Sequence, residues 1–303
     1  MNNRMDRRSF LGGFGLSLGI ASQSAPLLSG APARRLKIGH TGITWREPPE
    51  AIHDIAALGY RGYETFGDVL ETWDQKGLRE MLDAANLPLI SAYCGVNLTD
   101  PAKRKDEVAK IVRWAGIVKK YGGTTAVVGP NGVKRPAYDF NASKADIVAS
   151  LNEIGRALTD MGMIGALHQH TGTCIEYRDE VYAVLDSMDT KYIFFGPDVG
   201  QLAKGGSDPV KVVKDFLPLI RHVHLKDWDG GPNWQQYCPL GKGKVDLPAI
   251  LDLLETAKAM KIIMVELDSS RNPPMTPFET AATSKAYLQQ MGYRFAAARN
   301  AKG

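Results

Sequence analysis

The chain has 303 residues with a net charge of +4, 37 Lys and Arg against 33 Asp and Glu, and 44% hydrophobic residues. This composition suits a folded globular domain and excludes a disordered polymer, a collagen and a coiled coil. Charges of both signs are interspersed, so no basic stripe offers itself to nucleic acid. The three widely spaced cysteines (Cys94, Cys174, Cys238) form neither a disulfide framework nor a zinc-finger spacing.

Residues 1–33 are expected to be an address. Arg7 and Arg8 are followed by Ser9, Phe10 and Leu11, then by a weakly apolar stretch as far as Ala21. Ala31-Pro32-Ala33 offers a small-x-small cleavage site. The pattern is that of a twin-arginine export signal. The apolar stretch is half the ~20 residues that a spanning helix needs, and Gly and Ser interrupt it, so no stable membrane anchor is expected. Residues 1–33 carry three Arg and one Asp, which leaves the remainder near +2. The expected destination is the periplasm. A twin-arginine route carries folded protein, so a metal would be loaded in the cytoplasm. A single domain over 34–303 is expected to follow.

From residue 36 onward, β-prone runs alternate with helical patterns. The runs are Leu36–Gly39, Gly62–Thr65, Pro88–Tyr93, Thr125–Gly129, Ile164–His168, Tyr192–Pro197, His222–Lys226 and Ile262–Glu266. Apolar residues spaced by three and four predict buried helix faces over Pro49–Leu58, Lys105–Tyr121, Ser143–Met161 and Leu247–Ala259. Gly59, Gly122 and Gly162 stand where a left-handed cap would end a helix. Eight β-α units predict an α/β fold, a (β/α)8 barrel. A doubly wound sheet would carry a Gly-rich phosphate turn after its first strand. Here that strand runs into His40-Thr-Gly-Ile-Thr-Trp45. Gly241-Lys-Gly243-Lys244 lacks the rest of a phosphate-loop motif and carries little weight.

Chemistry in such a barrel sits at the C-terminal ends of strands. Those ends carry Glu64, His168 and His170, Asp198, His222 and His224 with Lys226 and Asp227, and Glu266 with Asp268. Residues i and i+2 share a strand face, which pairs His168 with His170 and His222 with His224. A carboxylate closing an apolar run needs a cation, a hydrogen bond or water. Asp198, His224, Glu266 and a strand-five residue are placed to converge on one divalent ion. Their mixed O and N donors suit Mn²⁺, Mg²⁺, Zn²⁺ or Fe²⁺. Glu64 fits a hydrogen-bonding role better than a ligand role, and His222 fits a core histidine. Trp45, Trp228 and Trp234 fall in expected strand-end loops, where rings either stack on sugar faces or complete the core. Cys94 and Cys174 are expected to be packing residues.

Three stretches in the last third carry a signature: His222-Val-His-Leu-Lys-Asp227, Pro239-Leu-Gly-Lys-Gly-Lys-Val-Asp246 and Val265-Glu-Leu-Asp268. They resemble the sugar phosphate isomerase/epimerase superfamily. These are the xylose isomerase-like TIM barrels, which include inosose dehydratases, ketose 3-epimerases and abasic-site endonucleases. Gly59-Tyr-Arg-Gly-Tyr-Glu64 is similar to its strand-two motif and Gly196-Pro-Asp-Val-Gly200 to its strand-six motif. The resemblance covers residues 36–292.

The resemblance implies one divalent metal, Mn²⁺ first, with Mg²⁺, Zn²⁺, Fe²⁺ and Co²⁺ open. In such families a strand-five Glu, a strand-six Asp, a strand-seven His and a strand-eight Glu hold it. By motif the last three are Asp198, His224 and Glu266. The strand-five position falls on His168, a departure; His168 is the favoured ligand, with Glu176 and His170 as alternatives. Gln201 stands where the endonuclease branch has a further His, and that branch's later Asp-x-His ligands have no match. A three-metal phosphodiesterase site is therefore not supported.

The implied chemistry is proton abstraction next to a carbonyl, through an enediolate. Glu266 would both ligate and move a proton, with His170 or Glu176 on the opposite face. Lys226 would hold a substrate oxygen, or else pair with Asp227 or Glu266. Glu64, Trp45, Gln201 and Trp228 are the expected substrate contacts. Where the proton returns decides between epimerisation and isomerisation, and loss of a β-hydroxyl is dehydration. The expected partner is a small sugar, keto sugar or cyclitol, with no nucleic acid. Homo-oligomerisation and a non-catalytic sugar-binding barrel are left open. Lys242 and Lys244 are available to a phosphate, but no cluster commits to one.

Overall fold

The computed structural model describes residues 34–297, Arg46 excepted. The proposed export signal at 1–33 lies outside the described residues. Eight parallel strands form one curled sheet. They are β1 (Lys37–Thr41), β2 (Tyr63–Phe66), β3 (Leu89–Val96), β4 (Thr125–Pro130), β5 (Ile164–Leu167), β6 (Ile193–Phe195), β7 (His224–Leu225) and β8 (Ile262–Val265). Their spatial order is β6-β5-β4-β3-β2-β1-β8-β7. Parallel bridges Phe195↔Ile220 and Asp198↔His224 then join β6 to β7 and close the cylinder. This is the (β/α)8 barrel that the alternation predicts.

Every strand expected from the sequence is present, with ends moved by no more than three residues. The chief helices are α1 (Pro48–Ala57), α4 (Arg104–Lys120), α5 (Phe140–Asp160), α9 (Leu247–Thr256) and α10 (Pro277–Gln290). Shorter ones lie between them: α2 (Gly67–Asp74), α3 (Leu78–Ala85), α6 (Arg178–Leu185), α7 (Val199–Lys204) and α8 (Pro209–Phe216). The apolar faces behave as their spacing demands. Ile111 and Val118 of α4, Leu151, Ile154 and Leu158 of α5, and Ile250, Leu251 and Leu254 of α9 are fully buried against the sheet. Gly59 and Gly122 take φ of 81° and 84° after α1 and α4, the left-handed region where a side chain is strained. The main core is one continuous cluster between strands and helices. Among the described residues, no helix is long and apolar enough to cross a membrane.

A two-stranded antiparallel hairpin, Asp227–Trp228 against Tyr237–Cys238, rises from the end of β7. The chain leaves the barrel at Lys226 to begin this second pairing, which ends β7 at Leu225.

Candidate active site

The polar residues that end the strands meet inside the rim. Glu64, the second residue of β2, is buried beside the imidazoles of His224 on β7 and His222 just before it. His224 Nε2 lies 2.6 Å from Glu64 Oε1, and His222 Nε2 lies 3.0 Å from Oε2. Both imidazoles reach the same carboxylate, as the i, i+2 geometry of a strand requires. Ser91 Oγ on β3 donates to Oε2 as well. Burial alone would raise the Glu64 pKa, but His224 and His222 outweigh it and hold the carboxyl well below its usual range. Glu64 is thus a charged anchor for histidines within the barrel wall, and the structure places it there rather than in a loop.

His224 is gripped from both sides, for its Nδ1 lies 2.8 Å from Glu266 Oε2 at the end of β8. Burial opposes its charge, yet Glu266 and Glu64 raise its pKa well above the usual imidazole value. Beside it the Lys226 ammonium is fully buried among three carboxylates. It lies 2.9 Å from Asp198 Oδ2, 2.5 Å from Glu266 Oε1 and 2.8 Å from Asp268 Oδ2. Burial opposes this charge too, but Asp198, Asp268 and Glu266 overcome it and lift the Lys226 pKa well above normal. The Tyr237 ring lies under the same ammonium, 4.7 Å from ring centre to nitrogen.

Asp198 is the N-cap of α7, its Oδ1 accepting from Gln201 N–H at 2.9 Å. Its backbone carbonyl accepts from the Gln169 amide at 2.8 Å. Its pKa is raised above the usual carboxylate range by complete burial, which Lys226 and His224 only partly offset and which Glu266 reinforces. This corner of the rim holds more negative charge than its own cations balance.

His168 follows β5 and faces this cluster. Its ring centre lies 4.6 Å from that of His224, and Tyr93 packs edge-on against it at 5.4 Å. Burial first, then the His224 charge, pushes its pKa well below normal and keeps the imidazole neutral. Its Nδ1 is buried with no hydrogen-bond partner in the protein. One donor atom each from His168, Asp198 and His224 lies within 4.8 Å of the others. A neutral orphaned imidazole, a carboxylate short of positive charge and a second imidazole form the donor set of a divalent metal site. These residues fit such an ion, and Glu266 stands beside them as a further oxygen donor. An ion on His224 would replace one of its ring protons.

The other expected site residues are distributed less uniformly. His170 is tied to Gln201: the Gln201 Oε1 accepts from Thr171 N–H and Oγ–H, so its amide nitrogen donates to His170 Nε2 at 2.7 Å. The opposite ring nitrogen then donates to Thr171 O at 2.6 Å. Glu176 is engaged elsewhere, by Arg135 Nε at 3.2 Å and Gly172 N–H at 2.8 Å. That guanidinium gives it a partner outside the histidine cluster. Trp45 is only 5% exposed and donates its indole N–H to Asp54 at 2.8 Å, so it packs the wall beside His40. Trp228 is half-buried in the rim hairpin, with the Lys244 ammonium 5.4 Å from its ring centre and its own indole N–H without a protein partner. Trp234 is buried in a small cluster with Tyr237 and Leu267.

Lys226 pairs with Glu266, one of the two partners expected for it, and not with Asp227. Asp227 faces away, and its carboxylate accepts the N–H groups of Trp228, Gly241, Gly243 and Val245 at 2.9 to 3.2 Å. The glycine-lysine loop is therefore shaped around an internal anion, and three of its N–H groups are already engaged. Besides Tyr237, three residues not singled out from sequence as site residues belong to the cluster. Asp268 had a signal, since it stands two beyond Glu266 on the same strand end. Ser91 and Tyr93 had none, because a lone polar or aromatic residue on a strand looks the same in any barrel.

A family model described as a xylose isomerase-like TIM barrel matches residues 52–291. The chain belongs to that family. An inosose dehydratase of Clostridium botulinum (strain Alaska E43 / Type E3) is 24% identical over 294 residues, covering 84% of this chain and 97% of the relative. Among solved structures of the same barrel, the apo 3-keto-D-glucoside 4-epimerase from E. coli superposes with a TM-score of 0.67 at 17% identity. It covers 84% of this chain and 99% of its own. The IOLI protein with a binding zinc atom superposes with a TM-score of 0.72 at 16% identity, covering 86% and 100%. At these identities the structural likenesses establish the shared fold alone.

Proposed function

We propose that this family member is a divalent-metal-dependent sugar isomerase or epimerase that removes a proton next to a carbonyl. The observation that carries the reading is the convergence of His168, Asp198, His224 and Glu266 from four strands, with His168 Nδ1 neutral and unpartnered. The zinc in the IOLI structure and the epimerase activity named for the E. coli structure support it. Mn²⁺ is the first candidate ion. A bound ion would supply Lewis acidity to a carbonyl and its neighbouring hydroxyl.

The chain's own groups do the rest. Glu266 is the candidate proton acceptor, a carboxylate at the mouth of the barrel that contacts both His224 and Lys226. Lys226 sits where it can hold a substrate oxygen and steady developing negative charge. The Gln201–His170 pair presents a second proton-transfer group, its imidazole oriented by Thr171. Trp228, whose indole N–H has no protein partner, is a candidate substrate contact, whereas the Gln201 amide is committed to Thr171 and His170 and holds that imidazole instead.

A dehydratase acting on a keto sugar or inosose is the second reading. It is favoured by the matches to inosose dehydratases, which cover 84% and 80% of this chain. Both readings predict that the Mn²⁺-loaded protein exchanges a carbon-bound proton of a keto sugar or inosose with D₂O, and that Glu266→Gln abolishes the exchange. An accompanying enone absorbance marks dehydration. Binding across the whole panel with no exchange would overturn both readings and leave a sugar-binding barrel. We also propose periplasmic export through residues 1–33, for which replacing Arg7 and Arg8 by Lys should leave the protein in the cytoplasmic fraction. Unchanged export would contradict it.

A further inference from the structure

Lys226 is out of place in a site that expects a metal. Its ammonium contacts Asp198 and Glu266, two of the four expected ligands, at ion-pair distance, and it contacts Asp268, which is not among them. Its side chain is fully buried, as is that of Asp198. A buried ammonium within reach of two ligand carboxylates repels a divalent cation bound to the same oxygens, and little solvent intervenes to screen that repulsion. Asp268 is the most exposed of the three carboxylates, at 13% of its side-chain surface. It alone can keep Lys226 when the other two are drawn to an ion.

We propose that Lys226 is the resident cation of this site, that a divalent ion must displace it from Asp198 and Glu266, and that Asp268 retains it when this happens. Metal affinity is then set by an internal competitor. The inference rests on the metal reading of the site given above, and it concerns which of this chain's residues oppose or permit loading. The same arrangement explains how three carboxylates tolerate burial before any ion arrives. Removing one partner of a buried ion pair is costly, whereas an ammonium that bridges three carboxylates gives each of them a cationic contact, though its single charge does not balance all three.

The test is Mn²⁺ titration of the metal-stripped full chain by calorimetry, with thermal melting of the same samples, for the parent, Lys226→Met, Asp268→Asn and the double variant. Lys226→Met should bind Mn²⁺ at least about tenfold tighter than the parent. Its melting temperature should fall without metal and recover with Mn²⁺ by more than the parent gains. Asp268→Asn keeps the lysine and should bind Mn²⁺ several-fold more weakly. In the Lys226→Met background that weakening should vanish, because there is no ammonium left to retain.

Equal or weaker binding by Lys226→Met overturns the proposal. So does an Asp268→Asn effect that is absent, or that persists undiminished without Lys226, since the latter is ordinary loss of negative charge. If Lys226→Met does not fold, Lys226→Gln takes its place in the same four-variant comparison, and unchanged affinity in Asp268→Asn overturns the proposal by itself. Binding by Lys226→Met alone, with none by the parent, supports Lys226 as the resident cation while ending the metal-dependent reading of the native protein. Binding by none of the four ends both.

Discussion

His40 is a buried imidazole beside the cluster, with its ring edge-on to Trp45 and Tyr60 and its Nδ1 on Thr41 O at 2.6 Å. Burial lowers its pKa from 6.5 to about 4, against the smaller pull of Thr41 O and Glu266. The unfolded chain takes up this proton as pH falls through 6.5, while the folded chain resists until about 4. The stabilising contribution is therefore complete above pH 6.5 and lost between 6.5 and about 4, a loss on the order of 3 kcal/mol. His40→Phe keeps a ring against Trp45 and Tyr60 and removes the titration. Urea unfolding at a series of pH values should show a shallower acid loss in this variant than in the parent, and an identical slope would contradict the assignment. At this scale the sequence announces ligand types and hides partners. Asp198 and Glu266 are visible because a carboxylate closes an apolar run. That Lys226 spans Asp198, Glu266 and Asp268, or that Arg135 engages Glu176, depends on residues tens of positions apart that only the closed barrel brings together.

The loop that returns from the rim hairpin shows how an element is built around one side chain. Asp227 accepts four backbone N–H groups and is itself buried, so the Pro239–Asp246 stretch is organised about a carboxylate. Gly243 packs directly against that carboxylate, and any Cβ there would collide with it. Gly241 takes φ of 80°, which suits glycine. Asp227→Ala leaves those N–H groups without their acceptor and should cost about 3 kcal/mol in urea unfolding. A loss too small to measure would mean that the carboxylate is incidental. The sequence signature Lys-Asp followed by Pro-Leu-Gly-Lys-Gly is thus half chemical, through Lys226, and half architectural, through Asp227. The long helices α4, α5 and α9 were legible because nearly three turns or more repeat their apolar spacing. The helices α2, α3, α6, α7 and α8 run only six to eight residues, too short for the period to declare itself. The successive left-handed residues Trp234, Gln235 and Gln236, at φ of 41°, 58° and 79°, carry no glycine to announce them. Lys204 donates to Gln235 O at 2.9 Å and holds that turn in place.

For the whole molecule, closure is what turns a series of strand ends into a site. The bridge Asp198↔His224 both joins β6 to β7 and sets two expected ligands side by side. The count of eight β-α units and the loop-side placement of the polar residues were readable from the chain, because βα alternation leaves few topologies open. Which polar residues face inward together was not, since it depends on the stagger of the closed sheet. The central claim is that His168, Asp198, His224 and Glu266 surround one cation. The most direct measurement is anomalous diffraction from crystals of the chain grown with Mn²⁺. The expected result is a manganese peak in contact with His168 Nδ1, the His224 imidazole and the Asp198 and Glu266 carboxylates, lost in Asp198→Ala. A map with no peak at that position, with Lys226 still bridging Asp198 and Glu266 in excess Mn²⁺, would contradict it.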